Sequence, residues 1–279
     1  MTDPVVVTGA SGFIGRALVG ELARRHQCVK AVARTPQAWP AGVEGILVKQ
    51  YADLLLPDHA TVIHLAETRD EAAIQNANYP TECLALMRGL QDQNPRLLVY
   101  ASSAAVYGDT MLHPRRPDEK VFPDGVYAVA KDACERIVLA VGGTVARLAN
   151  VYGPGMAKNS VLAEILAQIP GVAPLTIRNG RPVRDFLWIE DAARGLADLA
   201  LGRARGVFNL GTGVGTSVAD LARLALRSAG EVGRAIRETH PTGHASSIVL
   251  DIETTTTAVG WRPTVSLEEG VARLLRGTS

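Results

Sequence analysis

A chain of 279 residues, 47% of them hydrophobic, has material for one large α/β domain or for one domain with a small lobe. Its 29 basic and 28 acidic residues leave a net charge of +1 and no long basic run, which excludes nucleic acid or a membrane surface held by bulk charge. No apolar run reaches the roughly 20 residues of a spanning helix, and the N-terminus enters a strand without a signal-peptide pattern, so a cytoplasmic protein is expected.

The first stretch is Val5-Val6-Val7-Thr8-Gly9-Ala10-Ser11-Gly12-Phe13-Ile14-Gly15, followed by helical spacing at Ala17, Leu18 and Leu22. It reads as strand, tight turn, helix. Gly9 lets the chain turn sharply, Gly12 removes a Cβ where a pyrophosphate would approach, and Gly15 lets the helix sit against the strand. The helix N-terminus offers N–H groups and a positive dipole end to phosphate. The spacing is G-x-x-G-x-x-G rather than G-x-G-x-x-G, so the position after the first strand carries the assignment. A glycine-rich turn with no ligand is the alternative.

Cys28 to Arg34 reads as a second strand. A site for NAD wants an Asp or Glu at that strand's end, to bind the ribose 2′-OH. Ala33 and Arg34 stand there instead. A missing carboxylate removes repulsion against a 2′-phosphate, and an arginine can pair with it, which favours NADP over NAD. A solvated Arg34, or one stacked on adenine, fits as well.

Gly45 to Asp58 is irregular, with a weak strand at Ile46–Val48 and little room for a helix at Tyr51–Leu54. Thr61 to Ala66 reads as a buried parallel strand whose end, at Leu65 and Ala66, lies beside the nicotinamide half of a dinucleotide. His64 inside it reads as a satisfied core histidine. Glu67 and Arg69 are expected to face solvent before cofactor. Glu71 to Gln91 has helical spacing (Ala73, Ala77, Leu84, Met87, Leu90). Cys28, Cys83 and Cys134 show neither metal nor disulfide spacing; they read as reduced, buried thiols, and no metal is expected.

Leu97 to Ser103 is an apolar strand that turns abruptly small and hydroxylic. Ligands of open α/β sheets bind beyond the carboxyl ends of the strands, which places Ser103 where chemistry belongs. A Pro-rich loop follows from Met111 to Asp124. Tyr127 and Lys131 then share a helix face at i and i+4. An ammonium near a phenol favours the phenolate, which suits a proton-transferring group. A lone Y-x-x-x-K also fits a surface pair; the glycine turn and Ser103 give it weight.

Together these residues resemble an extended short-chain dehydrogenase/reductase of the NAD-dependent epimerase/dehydratase family, over nearly the whole length. The likeness rests on Thr8–Gly15, Ile63–Ala66, Asn78, Ala101–Gly108, Tyr127 with Lys131, Arg147–Gly155, Arg184-Asp185-Phe186 and Phe208–Gly211. It implies a Rossmann-like doubly wound parallel sheet in residues 1–152, completed by segments within 180–212, and a small substrate lobe in 153–279. It implies hydride exchange at a sugar carbon, often of a nucleotide sugar. Tyr127 would move the hydroxyl proton, Ser103 would hydrogen-bond that oxygen, and Lys131 would bind the nicotinamide ribose. Asn150 would approach the substrate phosphates and Arg184 the pyrophosphate, although Arg181 and Arg184 read equally as a solvated turn. A homodimer through the helices near Ala77–Leu90 and Ala128–Val141 follows by the same likeness.

The chain departs from that family in three places. Ala104-Ala105 stand where its 4,6-dehydratases carry an Asp-Glu pair, so elimination of water lacks its acid and base. The acid after the second strand is missing. His240-Pro241-Thr242-Gly243-His244 replaces a run with a second phosphate-binding arginine. In the lobe, helices are expected at Ser160–Ile169, Asp191–Leu201 and Val218–Leu226, with Gly211–Gly215 as a structural turn. A capping box, Ser266 to Glu269, opens the last helix. Three functions remain in view: a sugar-nucleotide epimerase, an NADPH-dependent carbonyl or ketosugar reductase, and a non-catalytic NAD(P)-binding protein.

Overall fold

The computed structural model describes residues 3–68, 71–76, 78–241 and 246–277. The first half runs β1 (Val5–Thr8), α1 (Phe13–Arg24), β2 (Val29–Ala33), β3 (Val43–Leu47), β4 (Thr61–His64), α2 (Glu71–Ile74), α3 (Tyr79–Asp92), β5 (Leu97–Ser103), α4 (Gly125–Ala140) and β6 (Thr144–Leu148). The second runs β7 (Asn150–Tyr152), α5 (Val161–Leu166), β8 (Leu175–Ile177), β9 (Val183–Trp188), α6 (Ile189–Leu201), β10 (Gly206–Leu210), β11 (Gly215–Ser217), α7 (Val218–Ser228), β12 (Ile236–Glu238), β13 (Ser247–Ile248), α8 (Glu253–Val259) and α9 (Leu267–Gly277).

Seven strands form one parallel sheet in the order β3-β2-β1-β4-β5-β6-β10. Its central strands are covered on both faces, which is why they read as unbroken apolar runs rather than alternating ones. On one face, Leu18 and Leu22 of α1 pack with Leu196 and Leu199 of α6 over Val5, Val7 and Val99. On the other, Met87 and Leu90 of α3 and Cys134 and Val138 of α4 cover Val6, Val62 and Leu98. Each such buried Leu or Met contributes about 1.5–3 kcal/mol. The doubly wound α/β sheet expected from the sequence is therefore present.

The helix expected over Glu71–Gln91 is divided instead into α2 and α3. The cause is local. Asn76 Oδ1 accepts the Asn78 N–H at 2.9 Å, and Tyr79 donates back to the Asn76 carbonyl. Pro80, which has no N–H to give, sits in the first turn of α3. Ala77 and Arg69 lie outside the described residues. The cysteines also differ from expectation: Cys134 is buried, but Cys28 is exposed in the loop before β2.

The smaller lobe is assembled around β9, which pairs parallel with β7 and β13 and antiparallel with β11. Helices α5, α7 and α9 close over it, burying Leu162, Phe186, Trp188, Leu221 and Val271 in a second core. The four consecutive threonines lie in α8, and Ser266 Oγ accepts the Glu269 N–H at 3.2 Å as α9 begins.

Asp185 of β9 ties this lobe to the turn after β10. Its buried carboxylate accepts the Thr212 N–H, the Thr212 hydroxyl, the Gly213 N–H and the Leu250 N–H. That is why Gly211–Gly215 forms a fixed turn leading into β11 and α7. A second buried group lies behind β5. Arg147 and Glu135 form an ion pair at 2.7 Å, and the Ser102 hydroxyl donates to the same carboxylate. The Arg115 and Arg147 guanidinium carbons stand 4.9 and 4.6 Å from the centre of the Tyr107 ring, whose hydroxyl donates to Asn209 Oδ1 at 2.8 Å.

Asp185→Ala leaves these four donors without that acceptor. A loss of about 3 kcal/mol of unfolding free energy is expected, read by denaturant titration.

Candidate active site

The strand order reverses between β1 and β4, and at their carboxyl ends opens a cleft of about 680 Å³. One end is the turn from β1 into α1. Gly9 has φ +70°, and a Cβ there would stand 2.8 Å from the backbone of Leu65 and Ala66. A Cβ on Gly15 would collide with the Gly9 carbonyl and Ala10. At Gly12 the nearest atom to such a Cβ is the Gly9 carbonyl oxygen at 3.1 Å. Gly12 caps α1 without any side-chain hydrogen bond to its first turn, so the positive end of a twelve-residue helix faces the cleft. Ser11, Phe13, Ile14, Leu65 and Ala66 complete this wall. A backbone cradle with a helix N-terminus and no Cβ in the way fits the pyrophosphate of a dinucleotide.

Arg34 lies just past β2 on the same cleft. It is exposed, with its guanidinium carbon 5.8 Å from the centre of the Tyr51 ring. Burial pushes the Tyr51 phenol up, and the Arg34 charge opposes that rise.

The other end of the cleft carries Ser103, Tyr127 and Lys131. Ser103 ends β5, and its Oγ accepts the Ala105 N–H at 3.2 Å, capping the short 3₁₀ turn Ala104–Tyr107. The hydroxyl proton is thus available for donation into the cleft. Tyr127 and Lys131 share a face in the first turns of α4. The Lys131 ammonium stands 5.6 Å from the Tyr127 ring centre, donates to the Ala101 carbonyl at 2.6 Å and pairs with Glu67 at 2.7 Å. Burial presses the ammonium down, but Glu67, with Tyr127 and Cys134 beside it, holds Lys131 above its ordinary value.

Glu67 corrects the expectation of a solvent-facing residue: its side chain is 14% exposed and bound inside the cleft. A buried ammonium needs a compensating charge, and Glu67 supplies it. No local pattern could have revealed this, because the partner lies on a helix far along the chain. His64 is the core histidine expected. Its Nδ1 is 2.8 Å from the Thr8 hydroxyl, across the β1–β4 pair, and burial pushes it down to about 4.

Two expected substrate residues are placed apart from this group. Asn150 is exposed at the start of β7, between Ala149 and Val151, which line the cleft. Arg184 on β9 does not line it. Its guanidinium donates to the carbonyls of Val183 and Ser246 and to the Ser246 hydroxyl at 2.7 Å, and it stands 3.8 Å from Asp109. Of the stretch His240–His244, residues 242–244 lie outside the described residues. Among the described residues no cluster could hold a metal ion.

A family model described as the NAD dependent epimerase/dehydratase family matches residues 5–211. In sequence, the chain is similar to a dTDP-4-dehydro-6-deoxyglucose reductase of Escherichia coli, 25% identical with 98% of this chain and 96% of that protein aligned. In structure it is similar to MoeE5 in complex with UDP-glucuronic acid and NAD, at TM-score 0.83 and 27% identity, covering 99% of this chain and 98% of the other. It is also similar to the UDP-glucose 4-epimerase of Thermotoga maritima with UDP-glucose, at TM-score 0.82 and 25% identity, covering 99% of each chain.

Because His64 is held neutral in the folded protein and protonates freely when unfolded, acid favours unfolding. Stability should fall by about 3 kcal/mol as pH drops from about 6.5 to about 4, and this contribution should not change further below that. Denaturant titrations across that range should show the slope in wild type and a flatter one in His64→Asn.

Proposed function

Because the chain belongs to the NAD dependent epimerase/dehydratase family, we propose that it moves a hydride from and back to one carbon of a nucleotide sugar, in the manner of a 4-epimerase. The observation that carries this is one cleft with a glycine cradle at one end and Ser103, Tyr127 and Lys131 at the other. The names of its relatives agree with a nucleotide-sugar substrate.

A nicotinamide dinucleotide, when bound, supplies the hydride acceptor and donor. The protein's own residues handle the proton and the position. Gly9, Ser11, Gly12, Phe13, Ile14 and Gly15 hold the pyrophosphate end, and Leu65 and Ala66 border the nicotinamide end. Tyr127 takes the proton of the sugar hydroxyl as the carbon loses its hydride, and returns it when the hydride comes back to the opposite face. Ser103 donates to the same oxygen and fixes it. Lys131 stands beside the Tyr127 ring and has one of its three N–H donors left for a ribose hydroxyl.

Asn150 is assigned to the substrate phosphates. Arg184 could join it only by giving up Ser246. Family membership spans dehydratases, so the case against elimination rests on Ala104 and Ala105 alone, which offer neither acid nor base. Val129 and Leu139, exposed on α4, suit a homodimer through α3 and α4. No helix among the described residues is long and apolar enough to cross a membrane, and a cytoplasmic enzyme remains the proposal.

Arg34 favours a second reading, net reduction of a carbonyl by exchangeable NADPH, since an exposed guanidinium at the second strand's end suits a 2′-phosphate. Denaturing the purified protein and identifying released nucleotide by mass spectrometry separates the two. Stoichiometric NAD or NADH supports a captive cofactor and epimerisation; an empty protein that prefers NADPH supports reduction. Tyr127→Phe should lower turnover about 10²-fold or more, and turnover near wild type would refute its role. In Arg34→Ala the affinity for NADP relative to NAD should fall; an unchanged ratio removes the reason to prefer NADP.

A further inference from the structure

Lys131 is buried, and a buried ammonium is stable only when its charge and its donors are answered. One donor goes to the Ala101 carbonyl. The charge is answered by Glu67, whose two oxygens are both engaged: Oε2 with Lys131 at 2.7 Å and Oε1 with the Tyr100 hydroxyl at 2.6 Å. The Tyr100 ring itself lies under the ammonium, 4.7 Å from centre to Nζ. Glu67 leaves the end of β4, Tyr100 stands on β5 and Lys131 on α4, so three elements meet in one bonded unit.

We propose that Glu67 is the positioning residue of this site: it holds the Lys131 ammonium in place and cancels its charge beside Tyr127, which sets the pH range over which the pair can move protons. The assignment rests on the roles given above to Tyr127 and Lys131.

Among the described residues, the surroundings leave few other charges to do this. From β4, His64 is neutral above about pH 4. From α3, burial pushes the Tyr79 phenol and the Cys83 thiol up, so both stay neutral near pH 7. From β5, Tyr100 is pushed well above its ordinary value, and from α4 the Cys134 thiol is pushed to about 12. Glu82 lines the same cleft from α3 but is exposed to solvent, which screens it. Against this largely neutral setting, the Glu67 carboxylate is the foremost of the groups that keep Lys131 above its ordinary value despite burial. Remove it, and burial acts on the ammonium without its carboxylate partner, while Tyr127 faces an uncompensated positive neighbour.

Glu67→Gln tests this, because it keeps the shape and the hydrogen-bonding capacity and removes the charge. The chain has five lysines, Lys30, Lys49, Lys120, Lys131 and Lys158, so ¹³C labelling at lysine Cε resolves each titration by NMR, with Lys131→Arg for assignment. In Glu67→Gln the Lys131 titration should fall by about one pH unit or more. In Glu67→Asp, which keeps the charge, it should return toward wild type. On the cofactor-loaded enzyme, the acid limb of the kcat profile should move to lower pH in Glu67→Gln, since the phenolate is then favoured.

An unmoved Lys131 titration in a folded Glu67→Gln protein overturns the proposal. A moved Lys131 with an unmoved kcat profile overturns its pH-setting part. If Glu67→Gln does not fold, Tyr100→Phe loosens the carboxylate without removing it; a smaller downward shift of Lys131 is expected, and none would overturn the proposal. Full turnover in Tyr127→Phe would instead refute the catalytic assignment, while the Lys131 titration still reports on Glu67.

Discussion

The approach of Gly9 to the backbone of Leu65 and Ala66 is the constraint on which the rest of the molecule depends. Two parallel strands end side by side there, and the chain leaving β1 must turn away within one residue. A positive φ and a missing Cβ allow it. Because the turn is that tight, α1 begins at the sheet's edge, with its positive end over the cleft and its apolar side free to pack on α6. Any side chain at Gly9 would push β4 outward, and with it the segment carrying Glu67. The cradle and the proton-transfer group, at opposite ends of one cleft, are thus positioned by the same contact.

Much of this was legible in the sequence because its signals are local. A β-branched run before glycines, a strand that ends in hydroxyls, and a Tyr and a Lys one helical turn apart each report geometry within a few residues. What escaped depends on partners distant in the chain. Glu67 looks like any polar residue after a strand until Lys131, folded in from α4, demands a counter-charge. Arg184 suits a diphosphate by its chemistry, yet the fold brings Ser246 and Asp109 to its guanidinium. The break between α2 and α3 had a local cause, the pairing of Asn76 with Asn78 ahead of Pro80, that apolar periodicity alone overlooks.

Several residues that carry the family likeness do not line the cleft. Tyr107, Arg147 and Asn209 belong to a buried polar group behind Ser103. Asn209 also donates to the carbonyls of Arg115 and Asp251, so the loop before α4 and the segment before α8 are held to the end of β10. Such a group is favourable only if every member is satisfied. Its consequence for chemistry is indirect: Ser102 is anchored to Glu135, and the adjacent Ser103 inherits that fixity.

One of the two outer strands of the large sheet, β10, reaches β6 only after the chain has travelled through β7, α5, β8, β9 and α6. On a ribosome, β6 therefore emerges well ahead of the segment that will cover its flank. During that interval the flank presents a row of unpaired N–H and C=O groups, the kind of surface on which nascent chains mispair. The lobe is thus no removable appendage. A chain cut after Tyr152 would keep six strands of the sheet and leave the flank of β6 uncovered for good.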